Sequence, residues 1–209
     1  MIGFIGGTGN QGRALAYRLA ANGEKVILGS RTLEKAEKIV SKYTCEPGSS
    51  SLSAGTNAEA AEQGEIVFIT LPYKSMKTTL VPLKDSLKGK IVVDVINPLT
   101  NNNTHRGISA SEELQLHLPK SRVVCAFKNV SSYLIGKVGE DVDVDSIVCS
   151  DDNEAKQKII ELSERIGIPS INGGALENAL ASELLTRLLL QLNKEKNAET
   201  GIKIHYYKV

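Results

Sequence analysis

The stretch that decides the fold opens the chain: MIGFIGGTGNQGRALAYRLAANGEKVILGSR, residues 1–31. An apolar run over residues 2–5 leads into Gly7, Gly9 and Gly12, and an amphipathic pattern and a second apolar run follow. Glycines spaced G-x-G-x-x-G between a strand and a helix are typical of the turn that holds the pyrophosphate of a dinucleotide. The stretch therefore predicts a Rossmann-like nucleotide-binding unit.

Continuous apolar runs alternate with helical patterns along the rest of the chain. Runs that are apolar at every position indicate strands covered on both faces, as in a parallel sheet flanked by helices. Ser109 and Glu112 suggest a capping box, and Pro82 is expected to kink or delay the helix around it. Strands are predicted at 2–5, 26–28, 66–71, 91–96, 123–127 and 147–149, with a short one within 45–57, and helices at 12–22, 33–42, 57–62, 74–88, 111–118 and 153–166. The predicted fold class is α/β, a doubly wound, mainly parallel sheet.

The composition of the chain argues against nucleic acid, a membrane and a metal ion as binding partners. The 25 basic and 24 acidic side chains among 209 residues nearly cancel, so no field collects nucleic acid or an anionic membrane surface. No run of about 18 apolar residues indicates a membrane span. Cys45, Cys125 and Cys149 are widely spaced, no metal-binding motif is present, and reduced thiols together with the lack of a leader predict a cytoplasmic protein.

Each glycine of the turn has a predicted role. Gly7 makes the tight turn, Gly9 lets phosphates approach the backbone, and Gly12 lets the helix pack against the strand. The N–H groups at the start of a helix lack intrahelical partners and carry partial positive charge, so they suit an anion. A nucleotide pyrophosphate is the expected ligand.

The end of the second strand indicates which dinucleotide binds. NAD-specific sites place a carboxylate there, about 20 residues after the glycines. This chain instead has Ser30, Arg31 and Lys35, and Thr8 offers a further donor. An arginine fork and an ammonium bind a 2'-phosphate through charge-assisted hydrogen bonds, which predicts NADP rather than NAD. Alternatively, Arg31 and Lys35 are the solvated start of a charged helix.

Four segments together resemble the NADPH-dependent F420 reductases, also called F420H2:NADP oxidoreductases. They are GGTGNQG, GSRTLEKAE, ITLPY and the closing GIKI, and the resemblance spans nearly the whole chain. It implies hydride transfer between NADP(H) and the deazaflavin coenzyme F420. It also implies phosphate contacts at Thr8, Gly9, Asn10 and Gln11, 2'-phosphate contacts at Ser30, Arg31 and Lys35, and a nicotinamide half along Leu71, Pro72, Tyr73, Asn97 and Pro98.

The resemblance places the acceptor near residues 126–132, where the chain reads AFKNVSS. Lys128, Asn129, Val130 and Ser132 are the implied acceptor-binding residues. Lys128 replaces a neutral or weakly basic residue of the family, and a Pro-Ala pair is missing. Lys128 either attracts the phosphate-bearing tail of an acidic acceptor or lies at a solvent-exposed loop edge.

The chain after Pro169 predicts a long helix at 176–192 and a terminal strand at 201–207. We expect a single domain over 1–209, in which 170–209 forms a helix–strand extension that contributes to the acceptor site and to a dimer surface. Leucines on one face of the helix are expected to serve both the core and a homodimer interface; they are Leu180, Leu184, Leu185, Leu188 and Leu192.

No catalytic side chain is predicted, because two cofactor rings held face to face carry the reacting carbons themselves. The primary expectation is an NADP-dependent oxidoreductase acting on a small redox acceptor, coenzyme F420. Two alternatives stay open. One is an NADPH-dependent reductase of a flavin, quinone or ferric chelate, as in the more distant membrane metalloreductases. The other is a regulatory protein that binds NADP(H) without turnover.

Overall fold

A parallel six-stranded sheet forms the centre of the protein. The computed structural model describes residues 1–98 and 107–207. The sheet has the order β3-β2-β1-β4-β5-β6, and every neighbouring pair is parallel. Its strands are β1 Ile2–Ile5, β2 Val26–Ser30, β3 Leu52–Thr56, β4 Ile66–Ile69, β5 Ile91–Asp94 and β6 Arg122–Cys125. The predicted doubly wound α/β fold is confirmed.

Helices cover both faces of this sheet. They are α1 Asn10–Ala21, α2 Leu33–Val40, α3 Asn57–Gln63, α4 Met76–Leu80, α5 Ala110–His117, α6 Ser132–Ile135, α7 Asn153–Arg165 and α8 Ala179–Lys196. The capping box is confirmed: Ser109 accepts from the Glu112 backbone N–H, and the Glu112 carboxylate accepts from the Ser109 N–H. Two orphan donors at the start of α5 are thereby satisfied.

The side chains of β4 show why this strand is apolar at every position of its sequence. Phe68 packs with α1 and α7 on one face, and Val67 and Ile69 pack with α4 and α5 on the other. Phe68 also stacks on Phe4 of β1, with ring centroids 4.8 Å apart. Successive side chains of a strand point to opposite faces, so a strand between two helical layers buries all of them.

The segment predicted as a strand at 147–149 lies outside the main sheet. It forms β7, Ser146–Val148, which pairs in parallel with β8, Ser170–Asn172, a strand that the sequence did not predict. The two sheets meet where Cys125 and Cys149 exchange backbone hydrogen bonds of 2.9 and 3.0 Å. This antiparallel bridge attaches β7 to the end of β6.

The helix predicted at 74–88 is broken. A 3₁₀ turn at Tyr73–Ser75, the short α4 and a second 3₁₀ turn at Val81–Leu83 replace it. Pro82 lacks a backbone N–H and its ring clashes with the preceding turn, so the helix cannot continue through it.

The terminal strand predicted at 201–207 is wrong. Asp145 N–H donates to the Ile202 carbonyl (2.8 Å), and Ile204 N–H donates to the Asp145 carboxylate (2.6 Å), but no ladder forms. Tyr206 and Tyr207 are more than 80% exposed. Within the described residues 201–207, the bond from Asp145 to Ile202 is the one backbone–backbone hydrogen bond to a neighbouring segment, and the segment is irregular.

Helix α8 turns its polar side inward. Ser182, Glu183 and Thr186 are buried, whereas Leu184 and Leu188 are about half exposed. The prediction that the leucine face also serves the core is therefore wrong for these two leucines. Buried hydrogen-bonding partners, described below, account for the inward polar side.

Candidate nucleotide-binding site

A cavity of about 710 Å³ opens at the carboxyl ends of β1, β2, β4 and β5. The chain runs outward from β1 to β3 on one side of the sheet and from β4 to β6 on the other. Strand order therefore reverses between β1 and β4, and ligands of doubly wound sheets bind at such a switch point. The predicted phosphate residues that line the cavity are Thr8, Gly9, Asn10 and Gln11.

The turn after β1 depends on Gly6, for which the sequence predicted no role. Gly6 has φ +78°, a conformation that glycine adopts without strain, and its N–H donates to Asn57 Oδ1 at 3.0 Å. Gly7, predicted to make the tight turn, has no such φ. A Cβ on Gly7 would lie 2.9 Å from side-chain atoms of Phe4 and Leu28. Gly6 makes the turn, and Gly7 permits close packing over the sheet.

Gly9 and Gly12 have the geometry predicted for them. A Cβ on Gly12 would lie 2.6 Å from Thr70 Oγ1 and 2.8 Å from the Gly7 backbone, so α1 packs directly against the strands. A Cβ on Gly9 would meet nothing closer than 4.0 Å, which leaves an open cradle. No side chain caps α1 and no acid lies in its first turn. The helix start therefore offers N–H groups and positive potential to an anion.

The wall beyond β2 carries cations. Ser30, Arg31 and Lys35 line the cavity there as predicted, and Lys74, which follows β4, is a further cation of the cavity lining. Among the lining residues that the structure describes, none is an Asp or a Glu. A carboxylate would repel a 2'-phosphate, whereas this set attracts one. The donors present fit a dinucleotide that bears an additional phosphate.

The wall after β4 is larger than predicted. Leu71 and Pro72 line the cavity as expected, but Tyr73 instead directs its hydroxyl to Glu113 at 2.5 Å. The additional lining residues are Thr70, Lys74, Ser75, Thr78 and Thr79. Their position just after a parallel strand was a usable signal, because all such loops lie at the same edge of the sheet.

The wall after β5 consists of Val95, Ile96 and Asn97. Asn97 was predicted, and Pro98 is described but is not among the residues that line the cavity. Asn97 Nδ2 donates to the Lys128 carbonyl at 2.9 Å. The wall after β5 is thus tied to the segment that follows β6.

Gln11 joins the glycine turn to that same segment. Its Nε2 donates to the carbonyls of Phe127 (3.0 Å) and Val130 (3.1 Å), so its side-chain amide N–H groups are used within the protein. Phe127 adopts φ +58°, which is uncommon for a residue with a side chain. The backbone N–H of Gln11 lies in the first turn of α1, where N–H groups lack intrahelical partners, while its side chain fixes the turn after β6.

Lys128 is buried rather than at a loop edge, which corrects the solvent-exposed alternative. Its ammonium lies 2.7 Å from Asp94 Oδ2, 2.7 Å from Glu183 Oε1 and 2.6 Å from the Ile96 carbonyl oxygen. An ammonium has three protons, and these three acceptors use them all. No donor remains for an acceptor molecule, so direct acceptor binding through the ammonium is not retained.

Burial and ion pairing compete within this charged cluster. Burial alone would lower the pKa of Lys128, but the carboxylates of Asp94 and Glu183 outweigh it and hold the pKa above its ordinary value. Burial raises the pKa of Glu183 despite the opposing effect of Lys128. The ammonium is charged, and Glu183 is the carboxyl of the cluster that takes up a proton more readily than usual.

The other predicted acceptor residues have largely structural positions. Asn129 is buried, donates to the Asp145 carbonyl (2.6 Å) and accepts from Ile147 N–H (3.1 Å). Val130 is buried, and Ser132 is partly exposed at the start of α6. Of the four side chains, only Ser132 is accessible from outside.

The start of the chain matches a known family model. Residues 1–98 match the family described as NADP oxidoreductase coenzyme F420-dependent. The F420-dependent NADP reductase of Methanocaldococcus jannaschii is 39% identical over 217 aligned positions, which cover 97% of each chain. The chain belongs to the F420-dependent NADP reductase family. The matched range contains the glycine turn, the cation wall and the whole of β5.

Two further proteins are similar to this chain, one in structure and one in sequence. A crystal structure of an Arthrobacter sp. FB24 protein superposes with a TM-score of 0.85 at 24% identity, covering 98% of this chain and 99% of that one. At that identity the likeness carries the fold alone. Metalloreductase STEAP3 of Rattus norvegicus is 29% identical over 90% of this chain but only 37% of its own length.

The described parts of this reductase contain no group of three or more His, Cys, Asp or Glu side chains placed to hold a metal. Within the same ranges, no helix is long and apolar enough to cross a membrane.

Proposed function

We propose that the protein transfers a hydride between NADP(H) and coenzyme F420. The observation that carries this proposal is the cavity at the switch point, where an uncapped helix start and three cations meet without a described carboxylate. Family membership supplies the acceptor, because relatives that this chain matches over nearly their full length are named F420-dependent NADP reductases.

The residues of the cavity bind and orient. The start of α1 and Gly9 hold the pyrophosphate, and Ser30, Arg31 and Lys35 hold the 2'-phosphate. When bound, the nicotinamide supplies the carbon that gives or receives the hydride. The described lining includes no His, Cys, Asp or Glu, and the proposed reaction assigns no acid–base role to the protein, because the hydride passes directly between the two cofactor rings.

In this proposal the nicotinamide half lies along Leu71, Pro72 and Asn97, the residues predicted for that half that line the cavity. The carboxyl ends of β4 and β5 support it, because these strands flank the switch point on the side away from the 2'-phosphate wall. Apolar side chains there exclude water and hold the rings at a near-attack separation of roughly 3–3.5 Å. On the acceptor side we retain Ser132 as a contact, because Val130 is buried in the core.

The test is a direct one. Purified protein is mixed with NADPH and oxidised F420, and the loss of the deazaflavin absorbance band is followed. Turnover that saturates in both substrates supports the proposal. NADPH binding without turnover of F420 or any other acceptor refutes it and leaves the regulatory role.

A second acceptor class has one specific observation in its favour. The similarity to Metalloreductase STEAP3, whose name denotes reduction of a metal, spans 90% of this chain. Flavin and a ferric chelate are therefore assayed in parallel with F420. A kcat/KM for flavin or ferric chelate above that for F420 assigns the chain to this alternative.

We also propose a homodimer formed through the leucine face of α8, Leu180, Leu184, Leu185, Leu188 and Leu192. Its support is that α8 buries polar residues toward its own chain while Leu184 and Leu188 stay about half exposed. A second copy of the same helix would cover them isologously. In light scattering, Leu188→Asp should shift the protein from dimer to monomer, and Lys194→Asp, at an exposed polar position, should not. A monomeric wild type refutes the dimer.

The domain organisation and location are proposals too. We propose one domain over 1–209 with 170–209 as an extension that completes the acceptor side; Asn97 and Thr186 both donating to the Lys128 carbonyl support this. A single unfolding transition in calorimetry tests it. A cytoplasmic location follows from the use of NADP(H) and unpaired cysteines, and cell fractionation checks it.

A further inference from the structure

A buried charged cluster lies directly behind the wall after β5. Lys128, Asp94 and Glu183 have side chains that are at most 1% exposed. Asp94 also accepts from Ser111 Oγ at 2.6 Å, and Glu183 Oε1 accepts from the Ala110 N–H at 2.9 Å. The cluster therefore joins β5, the segment after β6, α5 and α8.

This cluster holds both polar backbone groups of Ile96. The Ile96 N–H donates to Asp94 Oδ1 at 2.9 Å, and the Ile96 carbonyl accepts from the Lys128 ammonium at 2.6 Å. Ile96 lines the cavity, two residues after β5 has ended, where no ladder partner fixes the chain. The charges supply the hydrogen bonds that the sheet no longer provides.

Lys128 holds the neighbouring residue as well. Its own carbonyl accepts from Asn97 Nδ2 at 2.9 Å and from Thr186 Oγ1 at 3.0 Å. Two consecutive wall residues, Ile96 and Asn97, are thus both bonded to one lysine, through its ammonium and its carbonyl.

Stability alone is a weak reason for such a cluster. A buried ion pair usually gains little over apolar residues of similar volume, because both ions lose their hydration. What charged hydrogen bonds add is fixed geometry. Fixed geometry matters most where two rings must meet at a defined distance, since a displacement of about 1 Å can cost about a hundredfold in rate.

We propose that Lys128 is a positioning residue for hydride transfer: it fixes Ile96 and Asn97, and through them the orientation of the nicotinamide ring, without touching either cofactor. The proposal rests on the function proposed above for the site and on the position of the nicotinamide beside β5. The phosphate contacts lie at the other end of the cavity and do not depend on Lys128.

The main variant is the double substitution Lys128→Met with Asp94→Asn. Removing the lysine alone would leave two buried carboxylates facing each other, which threatens folding. With Asp94→Asn, the remaining carboxyl, Glu183, can take a proton. The matched control is Lys156→Met, because Lys156 is also buried but donates to the carbonyls of Ser150 and Gly174, away from the cavity.

Four measurements separate positioning from a general loss of structure. In the double variant we expect the Kd for NADPH to stay within about threefold of wild type, because the phosphate contacts are intact, and kcat to fall at least about tenfold. The primary isotope effect with 4-deuterated NADPH should rise, because hydride transfer becomes rate-limiting. The fluorescence of bound NADPH should change, because the nicotinamide ring has moved. Lys156→Met should change none of these four.

The fluorescence of bound NADPH is measured without an acceptor. This measurement therefore still tests the role of Lys128 if the wild-type protein is inactive with F420. Wild-type inactivity would refute the proposed function, and unchanged bound-state fluorescence would refute the role of Lys128. The positioning role is also refuted if kcat and the isotope effect stay at wild-type values, or if Lys156→Met reproduces the losses at a similar melting temperature.

Discussion

Replacing Arg31 tests the assignment of the 2'-phosphate wall. Arg31 lines the cavity beside Ser30 and Lys35, and the described lining contains no carboxylate that could hold the 2'-hydroxyl of NAD instead. Arg31→Ala should therefore weaken NADPH binding and leave NADH binding nearly unchanged. The substitution removes a guanidinium from an exposed position at the start of α2, where it makes no contribution to the core.

The expected loss can be bounded. A hydrogen bond to a charged group contributes about 1.5–3 kcal/mol, and exposure of the side chain to solvent moves Arg31 toward the low end or below it. A loss of about 1–3 kcal/mol corresponds to a roughly 5- to 150-fold rise in Kd, since each 1.4 kcal/mol is a factor of ten. Salt screens this interaction, so the difference between wild type and variant should shrink as ionic strength rises.

The assay is titration calorimetry or fluorescence with NADPH and NADH at two salt concentrations. Lys38→Met is the matched control, because Lys38 is an exposed cation of α2, the helix that begins two residues after Arg31, and does not line the cavity. Equal losses for NADPH and NADH in Arg31→Ala would contradict the specificity argument. So would a loss in Lys38→Met as large as that in Arg31→Ala, because net charge rather than the site would then explain it.

Four other predictions concern the same cavity and the Lys128 cluster. Gly9→Ala should keep the melting temperature but weaken NADPH binding, because its Cβ would meet only the Gly6 carbonyl oxygen, at 4.0 Å, and would occupy the open space proposed for the phosphates. Gly12→Ala should instead lower the free energy of unfolding by about 1–3 kcal/mol, because its Cβ would overpack against Thr70. Thermal unfolding and NADPH titration of both variants check these outcomes. Lys74→Met should weaken NADPH by a salt-dependent few-fold, measured in the same titration. Burial raises the pKa of Glu183 above its ordinary value. The contribution of this carboxyl to stability is therefore complete below the unfolded-state pKa and is lost as pH rises through the folded-state pKa. Denaturant unfolding at a series of pH values should show that wild type loses stability relative to Glu183→Gln as pH rises through the folded-state pKa of Glu183.

Much of the fold could be read from local pattern. Strands β1 and β4 carry no polar side chain, β5 carries only Asp94, and the structure buries both faces of all three strands. Such a pattern needs no knowledge of distant residues. The position of β7 was different, because its pairing depends on β8, more than twenty residues later, and on a bridge between Cys125 and Cys149. Pairing between remote segments leaves no periodic signal in either one.

In the candidate site, too, residues placed by local sequence could be predicted, whereas those placed by the fold could not. Ser30, Arg31 and Lys35 could be predicted because their position is counted from the end of a strand. Gly6 was missed because its role lies in one backbone angle, which a run of adjacent glycines does not reveal. The family resemblance placed Lys128 near the acceptor, and the alternative, a solvent-exposed loop edge, rested on the usual exposure of lysine. Only the fold brings Asp94 and Glu183, 34 and 55 positions away along the chain, within 2.7 Å of its ammonium.

The buried cluster also explains the orientation of α8. A helix with a leucine face would normally turn that face inward, because apolar burial stabilises it most. Here Glu183 and Thr186 must point inward to reach Lys128, by an ion pair of 2.7 Å and a hydrogen bond of 3.0 Å. The leucines are left on the outer side as a consequence. One lysine after β6 thus connects the wall of the nucleotide cavity to the face on which we propose a second copy docks, so a change at the proposed dimer surface has a short, bonded route to Ile96 and Asn97.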